Sequence, residues 1–216
     1  MDLAWLGRNV DELALRTLDH VVMTVLAIGI GSAISFGLAL LIRRRRSLQG
    51  PIMAVSGTLY AIPSLALFAI LIPFTGPQSL LAAEIALVSY TILILVRNFL
   101  AGFDGVSPDV LEAAAGMGLS PSQRLWKVEL PIALPIIVAG MRIATVTVIG
   151  LVTVTALIGL GGLGYVIIEL GYRRFNLTAT LAGTVGAILL AVLADRAFVL
   201  LQRALTPWVA TRRTAT

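Results

Sequence analysis

Few residues of this chain could carry out bond-making chemistry. The sequence contains one histidine, His20, and no cysteine, which excludes thiol nucleophiles, disulfides and cysteine-based metal sites. His20 stands where the first long apolar run begins, and neither a carboxylate cluster nor a nucleophile motif accompanies it. A metal centre needs several ligands, and a hydrolase needs a nucleophile beside its base. We therefore predict no catalytic residue and no metal site.

A second candidate is the stretch GLGGLG, residues 159–164, which has the glycine spacing of a dinucleotide-binding loop. Such a loop works only between a strand and a helix of a βαβ unit. Here the preceding segment is apolar and long enough to cross a membrane. We interpret the stretch as a glycine corner that ends a membrane span.

Ionisable and aromatic residues inside the long apolar runs are the remaining candidates. Charged groups are costly in hydrocarbon and usually face a bundle interior or a pathway. Arg142 lies too far inside its run to dismiss, and Glu84 lies near the outer end of another. Tyr60 and Tyr90 are the only tyrosines in such runs. These four are the candidate pathway residues, whereas snorkelling to the membrane surface is the simpler interpretation for Arg97, Asp195 and Arg196.

The composition places these residues in a membrane protein. Of the 216 residues, 58% are hydrophobic and only 12% are charged, whereas a soluble domain has about a quarter charged residues. Five stretches reach the roughly 20 apolar residues that a membrane span needs: 21–42, 52–74, 80–100, 131–158 and 177–201. We therefore predict an all-α membrane protein with five transmembrane helices.

The distribution of arginine predicts the orientation. Four consecutive arginines at 43–46 end the first span, and basic loops stay in the cytoplasm. Alternation from there puts the N-terminus outside and the C-terminus inside. The net charge of +5 therefore reflects membrane topology, and we predict no nucleic-acid partner. The basic residues predicted to lie inside also include Arg124, Lys127, Arg203, Arg212 and Arg213.

This orientation divides the chain into three parts. Residues 1–17, with apolar residues at spacings of three and four, are predicted to form an external amphipathic helix. Residues 18–203 form the transmembrane domain, and residues 204–216 form a cytoplasmic tail. The one long polar loop, 107–130, falls between the third and fourth spans and faces the cytoplasm.

The sequence of this loop predicts a helix, a glycine corner and a second helix. Ser107 and Pro108 have the residue types of a helix N-terminus, and Gly118 is expected in the left-handed turn that ends this first helix. Ser120 and Gln123 have the spacing of a capping box. The second helix is predicted to break at Pro131 before the fourth span begins.

The stretch EAAAGMGLSPSQRLWKVELP, residues 112–131, resembles a known signature. Its spacing is similar to the EAA loop of permease subunits in binding-protein-dependent ATP-binding cassette importers, with valine at 128 where isoleucine is commoner. The resemblance implies that this loop is the coupling helix, which docks into a groove of the ATPase subunit. The matching residues are Glu112, Ala113, Ala114, Gly118, Leu130 and Pro131.

Three further segments are similar to the glycine betaine, carnitine and choline branch of that family, the osmoprotectant permeases. They are 18–40, 60–73 (YAIPSLALFAILIP) and 139–164. The resemblance implies a bacterial inner-membrane location and a pathway for a quaternary ammonium compound. Two tyrosines are too few for an aromatic cage in one chain, but the resemblance assigns high-affinity recognition to a separate binding protein.

The resemblance also implies partners. They are a cytoplasmic ATPase dimer, an identical or homologous second permease subunit, an extracytoplasmic substrate-binding protein and membrane lipid. The only lysine, Lys127, has no glycine-rich run before it, so the chain has no Walker A loop. We therefore expect no cofactor on this chain, with ATP and magnesium acting in the partner ATPase. The alternatives are an importer permease for another small solute, such as an amino acid, and an ATP-independent channel or transporter.

Overall fold

The computed structural model describes residues 2–207, and over that range the chain is helical, without a strand. The helices are α1 (Leu3–Arg8), α2 (Val10–Arg44), α3 (Gln49–Ala61), α4 (Ser64–Thr75), α5 (Leu80–Asp104), α6 (Pro108–Gly116), α7 (Pro121–Arg124), α8 (Leu130–Val154), α9 (Leu163–Tyr165) and α10 (Leu177–Leu205). Wider π-helical turns occupy Leu125–Glu129 and Val166–Gly171. The predicted all-α class is confirmed.

Four continuous helical stretches are long and apolar enough to cross a membrane: Val10–Arg44, Leu80–Asp104, Pro121–Ile158 and Leu177–Leu205. The remaining predicted span, 52–74, is divided between α3 and α4, which meet at an angle of 97°. The break falls at Ile62, whose backbone is extended, and Pro63. Proline disfavours helical backbone in the residue before it, which explains why one apolar run forms two helices.

Contacts between helix ends show which ends share a side of the bundle. Arg46, just after α2, pairs with Asp104 at the end of α5 at 2.6 Å, so α2 and α5 end on the same side. Since α5 begins on the opposite side, α3 and α4 together carry the chain across. The Nε2 group of Gln202 donates to the carbonyl of Pro135 at 3.4 Å, which places the end of α10 on the side where α8 begins.

The opposite side holds the N-terminal residues. The backbone N–H of Asp2 donates to Oγ1 of Thr178, at the start of α10, at 2.9 Å. The first described residues and the end of α10 therefore lie on opposite sides, in the predicted relative arrangement. Which of the two sides faces the cytoplasm is still a prediction, and Arg212 and Arg213 lie outside the described residues.

The core of the bundle is built around α5, which packs between α2 and α8. Its most apolar window is 61% buried, against 17% for that of α10. Small residues allow the close approach, as is usual between membrane helices. A Cβ atom on Gly31 of α2 would collide with Thr91 of α5, and one on Gly140 of α8 would collide with Asn98.

The N-terminal segment differs from the prediction of a single helix over 1–17. It divides at Asn9, and residues from Val10 onward belong to the first spanning helix. The side-chain amide of Asn9 donates to the carbonyl of Trp5 at 2.7 Å, and its backbone N–H also bonds within the last turn of α1. Asn9 thus donates hydrogen bonds to the free carbonyls at the end of α1 and separates this short helix from α2.

Candidate coupling surface and pathway residues

The first helix of the polar loop begins and ends as the sequence predicts. Pro108 is its first residue and follows Ser107, although the Ser107 hydroxyl makes no capping hydrogen bond. Gly118 has a φ of 78°, in the left-handed region. The N–H of Leu119 bonds to the carbonyl of Ala114 at 3.2 Å, and that of Gly118 bonds to Ala115 at 2.9 Å. This pair of bonds is the Schellman motif, so the predicted glycine corner is confirmed.

The second helix begins with the predicted capping box. The Ser120 hydroxyl accepts from the N–H of Gln123 at 3.3 Å, and the Gln123 side chain accepts from the N–H of Ser120 at 2.9 Å. These two reciprocal bonds satisfy donors that the first turn of a helix leaves free.

The predicted break at Pro131 is wrong. The helix runs on from Pro121 to Ile158 through the π turn Leu125–Glu129. In a regular α-helix the ring of Pro131 would clash with the carbonyl four residues earlier, but the N–H of Leu130 bonds here to Leu125, five residues back. The wider turn accommodates the proline, so the second helix of the loop and the fourth span form one continuous helix.

The six motif residues divide between the surface and the junction with the span. Glu112, Ala113 and Gly118 are exposed, while Ala114 is buried. Leu130 and Pro131 are half-buried where the helix enters the bundle. Within residues 2–207 Glu112 has no ion-pair partner, so it presents a negative charge to the surroundings of the bundle.

A buried ion cluster behind this surface was missed in the sequence. The side chain of Glu129 is 2% exposed and pairs with Arg124 at 3.0 Å and with Arg43 of α2. Glutamate before a Leu-Pro pair carries no recognisable signal by itself. Only the folded chain brings residue 43 beside residue 129.

Two of the four candidate pathway residues lie together. The rings of Tyr60 and Tyr90 are edge to face, with centroids 5.9 Å apart. The Tyr90 hydroxyl donates to the carbonyl of Ile62, a backbone group left free where α3 breaks from α4. Tyr60 is 40% exposed, so an open aromatic surface stands beside the break.

Arg142 lies elsewhere, in an ion pair between α8 and α10. Its guanidinium bonds to Asp195 at 2.9 and 2.7 Å. The interpretation of Asp195 as a snorkelling residue did not include this pairing of its carboxylate with an arginine of the neighbouring helix. Sequence reasoning weighed the two residues separately, since they are 53 positions apart.

Glu84 occupies a third place. Its side chain is buried, and both carboxylate oxygens lack a hydrogen-bond partner within the described part of the chain. It is six residues before Tyr90 on α5, hence about 9 Å away along the axis and on a different face of the helix. The structure therefore separates the candidate pathway residues into three positions.

The predicted glycine corner at 159–164 is confirmed, and His20 of α2 bonds to it. Gly159 and Gly162 have φ values of 82° and 83°. The Nδ1 atom of His20 accepts from the N–H of Leu163 at 3.2 Å, and Nε2 lies 3.0 Å from the carbonyl of Ile149. His20 of α2 thus bonds both to Ile149 of α8 and to the end of the glycine corner, and no group of three potential metal ligands is found among residues 2–207.

Known proteins resemble this chain in both sequence and fold. The family model described as "Binding-protein-dependent transport system inner membrane component" matches residues 20–209. The choline transport system permease protein OpuBB of Bacillus subtilis (strain 168) is 33% identical over 94% of this chain and 93% of its own length. The osmoprotectant import permease protein OsmW of Salmonella typhimurium is 36% identical over 92% and 94%. A chain of the inward-facing MetNI methionine ABC transporter superposes with a TM-score of 0.81 and 26% identity over 90% of this chain and 96% of that chain.

Proposed function

This chain belongs to the family of binding-protein-dependent transport system inner membrane components, and we propose that the exposed residues of its 112–131 segment form the docking surface for the ATPase. Membership makes the chain a permease subunit of an ATP-binding cassette importer in the bacterial inner membrane. It is a transport component rather than an enzyme, and ATP hydrolysis belongs to a separate subunit. Substrate reaches such a system through a binding protein.

The observation that carries the docking role is the exposed helix, turn and helix between α5 and α8. Glu112 and Ala113 stand on its surface, and the Schellman turn at Gly118 fixes the angle between its two helices. Small alanine side chains allow close approach of another protein. The second helix continues into α8 without a break, so a force on the docking surface reaches the membrane span directly.

The proposed substrate is a quaternary ammonium osmoprotectant such as glycine betaine, choline or carnitine. Relatives that match over nine-tenths of the chain are named for choline and osmoprotectant transport. The Tyr60–Tyr90 pair supports this class, because a cation without hydrogen-bond donors is attracted to aromatic faces. The proposed pathway residues are these tyrosines together with Glu84 and Arg142.

A complete transporter requires further chains in this proposal. Two ATPase subunits bind on the cytoplasmic side, and an identical or homologous permease encloses the pathway with this one. Closure of the ATPase dimer on ATP moves the docking surfaces and rocks the two bundles between inward-open and outward-open states. An extracytoplasmic binding protein delivers the substrate to the side where α2 begins.

A second candidate substrate is an amino acid. The structural likeness to a methionine transporter covers nine-tenths of this chain and favours this alternative, although the fold serves both classes. The two candidates differ in the cation: a quaternary ammonium has no N–H donor, whereas an amino acid has three.

Reconstitution tests the proposal. The permease, with its ATPase and binding protein, is placed in lipid vesicles, and uptake of labelled glycine betaine, choline, carnitine and methionine is measured with and without ATP. We expect ATP-dependent uptake of at least one quaternary ammonium compound. Uptake of methionine alone would assign the second substrate class, and equal uptake without ATP would indicate a channel.

The docking surface has its own test. Glu112→Lys reverses the exposed charge, and we expect loss of ATPase association in a pull-down, with normal insertion in the membrane. Asp11→Lys is the matched control, because Asp11 is also an exposed acid on a helix but lies on the opposite side of the bundle. Equal association of both variants with the ATPase would contradict the docking role.

A further inference from the structure

Glu129 lies where the docking segment passes into the spanning helix α8. Each oxygen of its buried carboxylate has an arginine partner. Oε1 accepts from Nε of Arg124, within the docking segment, at 3.0 Å. Oε2 accepts from Nη2 of Arg43, in the last turn of α2. One carboxylate therefore joins the docking segment to the inner end of the first span.

Arg43 extends this junction to α5. Its guanidinium carbon lies 4.6 Å from the centroid of the Phe103 ring, a cation–π contact at the end of α5. The Phe103 ring lies 6.2 Å from that of Phe36 in α2, and Phe36 lies 6.0 Å from Trp126 in the π turn. Ionic and aromatic contacts thus tie the turn to α2, and the same two α2 residues contact the end of α5.

The two kinds of connection from the docking segment differ. The segment and α8 share one unbroken helix, so α8 must follow any displacement of the segment. The first span, α2, has no backbone connection to it and is held by side chains. The pair between Glu129 and Arg43 is 2% and 23% exposed, so water and salt screen it less than a surface pair. It resists separation, and a carboxylate left alone there would be strongly unfavourable.

We infer that Glu129 is a positioning residue for transport, which makes the inner end of α2 follow the docking segment when the ATPase moves it. This inference rests on the docking role proposed above. It adds the residue through which a displacement of the docking segment also moves the first span, α2. With the pair broken, the ATPase still docks on the exposed residues of 112–118. Hydrolysis then continues while α2 no longer moves with α8, so ATP is consumed with little transport.

The test compares uptake with hydrolysis in the whole transporter. Glu129→Gln keeps the size of the side chain and removes its charge. We expect the amount of labelled osmolyte taken up per ATP hydrolysed to fall about tenfold, within the range of energetic coupling found along contact networks. Co-purification of the ATPase and hydrolysis stimulated by loaded binding protein should stay within about twofold of wild type, the low end of that range, because the exposed residues of 112–118 are unchanged. Arg43→Gln should lower the ratio as well, and the double variant should be no worse than Glu129→Gln alone, because that variant already lacks the pair between Glu129 and Arg43.

The matched control is the ion pair between Arg46 and Asp104. It joins the end of α2 to the end of α5 on the same side of the bundle at 2.6 Å, but its side chains are 56% and 46% exposed and neither of them pairs with Glu129. Asp104→Asn should leave uptake per ATP unchanged. A general need for charge pairing at this surface would lower the ratio in both variants.

Three results would overturn the inference. The first is a wild-type ratio of uptake to hydrolysis in Glu129→Gln, and the second is an equal fall of that ratio in Asp104→Asn. The third is loss of ATPase association together with uptake in Glu129→Gln, which would make Glu129 part of the docking surface instead. If Glu129→Gln does not accumulate in the membrane, the double variant with Arg43→Gln is measured, since it also removes the Arg43 charge that Glu129→Gln leaves without its partner, and a wild-type ratio there overturns the inference. Failure of the proposed function is distinct, because the wild-type transporter would itself show no ATP-dependent uptake.

Discussion

The guanidinium of Arg142 donates two hydrogen bonds to a single oxygen of Asp195, from Nε at 2.9 Å and from Nη2 at 2.7 Å. The pair joins two spanning helices, and its side chains are 31% and 35% exposed. Exposed charges are unfavourable against hydrocarbon. This face of α8 and α10 is therefore expected to meet a water-filled pathway or a second permease subunit rather than lipid.

Breaking this pair should weaken the contact between α8 and α10. Asp195→Asn leaves Arg142 without a counter-charge, and we expect a loss of about 1–2 kcal/mol, the upper part of the range for polar contacts between membrane helices. Thermal unfolding in detergent, followed by tryptophan fluorescence, measures the effect. Arg196→Gln, an exposed neighbour in the chain, is the control and should unfold at the wild-type temperature. Equal unfolding temperatures for all three proteins would contradict the prediction.

Two glycines of the docking segment should respond to alanine in opposite ways. Gly118 has a φ of 78°, and an added Cβ would meet nothing within 4 Å, so Gly118→Ala acts through backbone strain alone. We expect a cost of about 1 kcal/mol in the turn, and more for Gly118→Val. Gly116 is helical with equally open surroundings, and Gly116→Ala should favour the helix by up to about 1 kcal/mol.

The readout for these variants is association with the ATPase and ATP-dependent uptake. Gly118→Val should insert normally in the membrane but lose both activities, because the docking helix is aimed wrongly. Gly116→Ala should keep them. If Gly118→Val associates and transports like wild type, the left-handed turn has no part in docking.

Replacement of Glu84 can distinguish an effect on stability from an effect on transport. Its carboxylate is buried without a partner among the described residues, so Glu84→Leu removes a polar group whose burial costs about 1–3 kcal/mol. We expect the leucine variant to unfold at a higher temperature while uptake falls, if the carboxylate serves the pathway. Thr91→Val, a buried polar residue of the same helix that already has a hydrogen bond to Val88, is the control and should not gain stability. A stable leucine variant with full uptake would remove Glu84 from the pathway.

Engineered cysteines test the orientation, since the chain has none of its own. Single cysteines at positions 48, 76, 120 and 170 are labelled in sealed cells with a reagent that does not cross the membrane. We expect labelling at 76 and 170 only, because the basic ends of the spans stay inside. Labelling at 120 without labelling at 76 would reverse the topology. Labelling at none of the four would contradict the crossing made by α3 and α4.

Patterns confined to one segment were readable from the sequence, and contacts between segments were not. Hydrophobic length located the spans, and local turn chemistry located the corner at Gly118 and the capping box at Ser120. The break at Pro131 was predicted from the proline alone, whereas the folded chain accommodates it in a π turn whose Trp126 and Glu129 contact α2. The second span shows the converse, because spanning helices often tolerate a proline, whereas Pro63 here divides the run with a bend of 97°.

In the candidate site, too, local features could be predicted from the sequence and contacts between segments could not. The residues proposed for coupling were located by their spacing, but the ion cluster of Glu129 and the partner of Arg142 depend on which helices the fold brings together. Charges 86 positions apart, such as Arg43 and Glu129, have no periodicity that could relate them. Pairings of this kind are set by tertiary packing.

Because the second loop helix and α8 form one unbroken helix, that helix fixes the direction in which the docking surface faces as well as its displacement. Each residue turns an α-helix by about 100°, so the number of residues between Pro121 and Leu130 decides which way the docking surface faces relative to the bundle. The π turn at Leu125–Glu129 holds one residue more than an α-helical path would need, and it contributes one such rotation. We expect deletion of one residue there to leave the spans in place but to turn the exposed residues of 112–118 away from the ATPase. Under the proposed docking role, the length of this segment therefore matters as much as its side chains.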